Sequence, residues 1–109
     1  MSPTARTLKR LREEGWRAQV VERFNRFANV RQDLFGVIDV VAINDLETVG
    51  VQACAAASLS ARFEKIRNSE DAKLWCAGPN RRLEIHAWRK GGPRGKRKVW
   101  TVNRVPIEF

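Results

Sequence analysis

Histidine and cysteine are scarce in this chain. One His and two Cys among 109 residues leave a Cys/His zinc site short of ligands. Long apolar runs are missing too, and with them the expectation of a membrane-spanning helix. Binding flat on a membrane would need a basic amphipathic helix with large exposed apolar residues, and none stands out. The opening stretch from Met1 to Arg6 lacks the apolar core of a signal peptide. A cytosolic protein with two small buried thiols, Cys54 and Cys76, is therefore expected. Acids are outnumbered as well. There are 21 Lys and Arg against 12 Asp and Glu, a net charge of +9. In a small domain such a balance favours a polyanionic partner, nucleic acid first.

Apolar residues make up 43% of the chain, enough for one globular domain over residues 1–109 with a single core. A helix is expected from about Thr4, capped by Ser2 or Thr4, with Ala5, Leu8 and Leu11 on one face and Gly15 as its stop. Trp16 to Phe24 reads as a first strand and Asn25 to Leu34 as a polar, basic loop. Val37 to Ile43 reads as a central strand, Asn44-Asp45 as a turn, and Thr48 to Ala53 as the partner strand. Gly50 there allows close backbone approach. Ser58 is expected to cap a helix over Leu59–Arg67 with a core stripe of Leu59, Phe63 and Ile66. A short helix follows over Glu70–Ala77, ended by Gly78-Pro79. Leu83–Trp88 and Val99–Val105 read as two more strands, joined by a basic loop over Arg89–Lys98. The order is a helix, a three-strand meander, a crossover helix and two strands. It predicts an α/β fold with a mixed sheet and helices packed on it.

One residue breaks the apolar pattern. Asp39 lies inside Val37-Ile38-Asp39-Val40-Val41, and a lone buried charge costs several kcal/mol unless it is paired or bound to a metal. If the second and third strands pair, Asp39 meets Gln52, with Cys54 next along the same face. That is the geometry of a small divalent-metal site. Asp39 reads either as a ligand or as an acid paired with an Arg or a turn. Gln52 reads either as a neutral oxygen ligand or as a satisfied polar residue, and the backbone carbonyl of Ala53 is a further oxygen donor.

The strand order, the acid in the second strand and the polar residue in the third resemble the PD-(D/E)XK nuclease superfamily, in particular its small Holliday-junction-resolvase-like and phage nuclease-like members. The resemblance runs from about Ala5 to Val105 and implies a restriction-endonuclease-like sheet flanked by helices. It also implies Mg²⁺ or Mn²⁺ and phosphodiester hydrolysis in DNA rather than RNA, branched DNA included. A homodimer would serve to cut both strands of a junction, in a bacterial or phage-infected cell. Asp39 matches the strand-two Asp, and Gln52 stands where the second acid falls. Cys54 stands in the place of the motif Lys, a departure, and reads as a small apolar filler.

By the same resemblance, the missing cation would come from Lys65 on the following helix, with Arg62 one turn earlier. Both residues also suit a solvated face that holds backbone phosphate. Glu22 either completes the acidic cluster or pairs with an Arg, and Asp33 is open to the same two readings. His86 reads as structural ahead of a role in proton transfer, and Trp88 and Trp100 as core ahead of stacking on unpaired bases. Arg94, Lys96, Arg97 and Lys98 form a flexible phosphate clamp, with Arg6, Lys9 and Arg10 as a second contact. A catalytically inactive nucleic-acid-binding protein on the same fold is the alternative.

Overall fold

The computed structural model describes all 109 residues. Helix α1 spans Pro3–Glu13. Pro3 occupies its first turn, where no amide partner is lost, and the Ser2 hydroxyl accepts from the Ala5 N–H at 3.1 Å. Leu11 is fully buried on its inner face, but so is Thr7, which the apolar pattern passes over. Gly15, at φ +93°, turns the chain back into the sheet.

The next segment departs from the sequence reading. The first strand, β1, is only Arg17–Val20. Arg23–Asn25 (β2) and Val30–Gln32 (β3) pair with each other as a separate two-stranded hairpin. The expected basic loop therefore contains a built arm. Asn25 closes it through an Asx turn, its Oδ1 accepting from Phe27 and Ala28 N–H at 2.9 and 3.1 Å. Asn29 supplies the left-handed residue at φ +54°. The central strand is also shorter than expected. Leu34 to Ile38 forms a tight turn with Phe35 and Gly36 both at positive φ, so β4 starts at Val40 and ends at Ile43.

From β5 onward the elements follow the periodicity closely. Strand β5 covers Thr48–Ala55, a single 3₁₀ turn Ala56–Ser58 follows, and α2 and α3 span Leu59–Arg67 and Glu70–Ala77. Ser58 makes no side-chain cap; Ser69 does, at the start of α3, accepting from Ala72 N–H. Phe63 is exposed, which leaves Ile66 as the fully buried residue of α2. Strands β6 (Arg81–Gly91) and β7 (Val99–Pro106) form a hairpin longer than expected.

The five long-range strands form one mixed sheet in the order β1-β4-β5-β6-β7. The β1-β4-β5 part is antiparallel, β5 and β6 are parallel through the α2–α3 crossover, and β7 returns antiparallel. The core lies on both faces. Leu11, Ala18, Val40, Ala42, Val49 and Val51 pack under α1. On the other face Ile38, Cys54, Leu83, Ile85 and Ala87 pack against Ile66 and Ala72 of the crossover helices. Gly50 sits where a Cβ would come within 2.8 Å of the Ile38 side chain, so any larger residue would have to displace Ile38. No helix is long and apolar enough to cross a membrane.

The pairings also fix one end of the sheet. Val20 pairs with Val40, Val40 with Val51, Ala55 with Trp88, and Gly91 with Val99. The end of β1, the start of β4, the ends of β5 and β6 and the start of β7 therefore lie together. Asp39 and the β2–β3 arm emerge there.

Candidate metal centre

Asp39 immediately precedes β4, opposite Gln52 in the continued β4–β5 register. Its backbone is held on both sides: its N–H donates to Val51 O and its carbonyl accepts from Val21 N–H, each at 2.8 Å. Its side chain is 4% exposed. Oδ2 accepts from the Gln52 amide nitrogen at 2.9 Å and from the Ala53 backbone N–H at 2.8 Å. The same Gln52 nitrogen also donates to Asp33 Oδ2 at 3.2 Å. Strand pairing thus brings Asp39 and Gln52 together as the sequence suggests.

Gln52 and Ala53 face the acids differently from the sequence reading. Each presents an N–H to Asp39, where an oxygen was expected. With its nitrogen committed to two carboxylates, Gln52 leaves Oε1 buried without any hydrogen-bond partner. An orphaned buried acceptor is uncommon in folded proteins and marks a place where something else belongs.

Two further acids complete the cluster. Glu22 and Asp33 flank the β2–β3 arm at its two roots. Ligand oxygens of Glu22, Asp33 and Asp39 all lie within 4.8 Å of one another. This is close enough to hold a metal ion. Glu22 is held in place by Arg31 of β3, whose guanidinium donates to it at 2.9 Å. Both readings of Glu22 therefore hold at once: it pairs with an Arg and it joins the cluster. Asp33, left open between two roles on sequence, belongs to the centre.

The electrostatics follow from crowding. Burial pushes the Asp39 carboxyl up to about 8, and the neighbouring Asp33 carboxylate adds to the push. Burial raises Asp33 as well, but hydrogen bonds with Asp39 and Gln52 and the positive charges of Lys65 and Arg62 outweigh it, leaving Asp33 below the usual carboxylate range. The two carboxyls titrate together, with Asp39 pushed up and Asp33 held down. Lys65 and Arg62 act on this centre across space, from the solvent-side of α2. Cys54 is buried in the core beside Gln52, and burial raises its thiol above the ordinary value. It acts as an apolar filler and not as a nucleophile.

Arg6 and Arg10 on α1 and the β6–β7 turn lie toward the same end of the sheet, whereas Arg17, Arg81 and Arg82 lie at the other. Arg6 stacks on the Trp100 ring at 3.7 Å and Arg10 lies 5.6 Å from the centre of the Trp88 ring. Lys9 pairs with Glu13 one turn along at 3.9 Å. Trp88 is core, but Trp100 is partly exposed, contrary to its expected burial. Arg94, Lys96, Arg97 and Lys98 lie in the exposed β6–β7 turn, which begins only after Gly91. Lys98 reaches back to the Gly92 carbonyl at 3.1 Å.

A second buried polar group sits across the sheet. Trp88 Nε1 donates to Thr7 Oγ1 at 2.9 Å, Thr7 Oγ1 lies 3.4 Å from His86 Nδ1, and His86 Nε2 donates to Glu84 Oε1 at 2.8 Å. Arg82 then bonds Glu84 at 3.2 Å and Glu47 through both of its carboxylate oxygens. His86 is fully buried.

The fold and site define an α/β domain with a mixed sheet and a three-carboxylate cluster at one sheet end. Neither a protein-family model, nor a curated protein, nor a solved structure matches the chain.

Proposed function

We propose that the protein is a divalent-metal-dependent nuclease of the PD-(D/E)XK kind that hydrolyses phosphodiester bonds in DNA. The observation that carries this reading is the cluster of Glu22, Asp33 and Asp39 at one end of the sheet. The donor set fits a hard cation such as Mg²⁺ or Mn²⁺, because every charged ligand is a carboxylate oxygen. The raised Asp39 carboxyl and the orphaned Gln52 Oε1 support the fit: without a cation the cluster keeps a proton and an unpaired acceptor. Glu22, Asp33 and Asp39 would hold the ion. Rotation of the Gln52 amide would offer its Oε1 as a fourth donor. Bound there, such a cation polarises a phosphoryl oxygen and lowers the pKa of water.

The chain's own groups supply the rest. Gln52 and the Ala53 N–H hold the Asp39 carboxylate in one orientation. Arg31 holds Glu22. Lys65 and Arg62, which already act on Asp33, offset charge that develops on the phosphate in place of the cation that Cys54 cannot provide. Arg6, Lys9, Arg10 and the Arg94–Lys98 turn would track the backbone on either side. A dimer of such domains would cut both strands of a branched substrate.

The second reading is a DNA-binding protein on the same fold without catalysis. Its support is Cys54, a core thiol at the position where the family pattern carries lysine. Incubation with supercoiled, single-stranded and four-way-junction DNA separates the two, with Mg²⁺, Mn²⁺ or chelator and beside Asp39→Ala and Lys65→Ala. Metal-dependent cleavage lost in Asp39→Ala is expected. Cleavage that survives Asp39→Ala would sink the metal site. Salt-sensitive binding without cleavage under any metal would favour the second reading.

A further inference from the structure

The β2–β3 arm rises directly from the acid cluster. Glu22 precedes β2 and Asp33 follows β3, so two of the three carboxylates are the roots of the arm. The arm carries large apolar side chains that nothing in the chain covers. Phe27 at its tip is 102% exposed, Phe24 is 60% exposed, and Phe35 in the adjoining turn is 56% exposed. Three aromatic rings in water within so short a stretch are unusual for a small monomeric domain. Arginines interleave with them at Arg23, Arg26 and Arg31.

The arm is not a slack loop. Three residue pairs join its strands. The Asn25 side chain fixes its turn through two backbone N–H groups. Its tip is thereby held clear of the body with Phe27 presented. Between the arm and the Phe35 turn lies an open cleft of about 490 Å³, lined by Phe24, Phe27, Phe35, Arg23, Arg26 and Asp33. Asp33 is shared between this cleft and the acid cluster.

Aromatic faces alternating with guanidinium groups are chemistry for one ligand class. Every nucleobase has a π-face that stacks on Phe, and each phosphate between bases meets a cation. A paired base hides that face inside the duplex, so the cleft suits an unpaired nucleotide. An apolar protein segment would fit the rings but not the two arginines of the cleft, Arg23 and Arg26, or the net charge of +9.

We propose that the β2–β3 arm and the Phe35 turn form a seat for unpaired nucleotides of a DNA strand, with Phe27 and Phe24 as stacking platforms. The cleft opens at Asp33 toward the acid cluster, so a strand seated there would run toward the site that the nuclease reading, on which this inference rests, assigns to hydrolysis. Substrates with a single-stranded tail are thereby preferred over blunt duplex.

The test is binding in chelator, where no cleavage intervenes. The probes are an oligo-dT strand, a tailed duplex carrying 2-aminopurine in the tail, and a blunt duplex of the same length. Phe27→Ala is expected to lower affinity for the strand and the tailed duplex about tenfold, the loss of roughly one base stack. Blunt-duplex affinity should stay within about twofold, and Phe27→Tyr should restore binding. Quenching of 2-aminopurine should disappear in Phe27→Ala and return in Phe27→Tyr. Phe27 buries nothing, so an unchanged melting temperature verifies that each variant is folded. Equal losses on all three probes, no loss on any, or arm-dependent self-association without DNA binding would each overturn the seat. Binding as expected with no cleavage under any metal would leave the seat standing and overturn only the hydrolytic reading.

Discussion

Two buried polar groups sit on opposite faces of one sheet, and they are built to opposite rules. Under α1, Trp88, Thr7, His86, Glu84, Arg82 and Glu47 form a chain in which donors meet acceptors and positive charge meets negative. Hydrogen bonding to His86 keeps the Glu84 carboxyl below its ordinary range, and the nearby arginines assist. Under α2, three carboxylates crowd together, one is pushed up to about 8, and a buried amide oxygen has no partner. The first group is complete in itself and ties α1 to the sheet. The second is complete only with something added. A closed network can be scaffolding, whereas crowded carboxyls beside an unpaired acceptor are the arrangement that functional sites share.

The largest expected difference is in activity. Asp39→Ala should reduce metal-dependent DNA cleavage by more than about a hundredfold, because it removes a ligand and the carboxylate that Gln52 and Ala53 orient. It should not unfold the protein at a pH above about 8, where Asp39 and Asp33 are both charged and the substitution relieves their crowding. A rise in melting temperature without metal, alongside lost cleavage, is the signature. If Asp39→Ala lowered stability sharply instead, the two polar groups would follow the same rule and the contrast would collapse.

Next comes pH. The Asp39 carboxyl lies at about 8 in the folded chain against an ordinary 3.8. Its contribution to stability is full below the unfolded value and is lost as pH rises through about 8. Metal-free protein should therefore melt several degrees lower at about pH 8.5 than at about pH 5.5. Asp39→Asn should flatten that slope. Mg²⁺ or Mn²⁺ should raise the melting temperature most at the higher pH, where no proton competes. Asp33 and Glu84, both held below their ordinary values, act with the opposite sign and in a separate window. Their contribution is present above the unfolded value and is lost as pH falls below about 4. A metal effect equal at both pH values would break the assignment of the proton to Asp39.

How much of this was legible in the sequence follows the same divide. Helices α2 and α3 and strand β5 were readable because periodicity and the Gly-Pro stop agreed, although the expected Ser58 cap does not form. The meeting of Asp39 with Gln52 was readable because two strands joined by Asn44-Asp45 admit one register. The arm was hidden, since Arg23–Gln32 alternates no apolar core face and pairs only with itself. With the arm went the placing of Glu22 and Asp33 as its roots. The network around His86 was hidden for another reason: Thr7 lies on a helix whose apolar stripe runs beside it, and only the fold brings it to residues 79 and 81 positions away. The reversal of Gln52, nitrogen toward the acids, depends on which neighbours are charged and cannot be read from spacing.

The complete network should respond in stability, not chemistry. Glu84→Ala leaves the buried His86 N–H and one arm of Arg82 without an acceptor, and should cost about 3 kcal/mol. Denaturant unfolding measures it. DNA cleavage per folded molecule should stay within about twofold. A loss below about 1 kcal/mol would mean that water replaces Glu84 and that the network is less closed than its hydrogen bonds indicate.

Thr7→Val is the smallest change and the sharpest. It keeps the shape of the side chain and removes one hydroxyl, which accepts from Trp88 Nε1 and faces His86 Nδ1. Both partners are buried, so each loses its only neighbour on that side. The expected cost is about 2 kcal/mol of stability, with metal response and cleavage unchanged. Hydroxyl, imidazole and carboxylate in sequence also make the bond pattern of a nucleophile, base and orienting acid. Complete burial argues against that role, because no substrate reaches Thr7. If Thr7→Val kept its melting temperature yet lost hydrolysis, the working centre would lie under α1, and the acid cluster under α2 would become the scaffold.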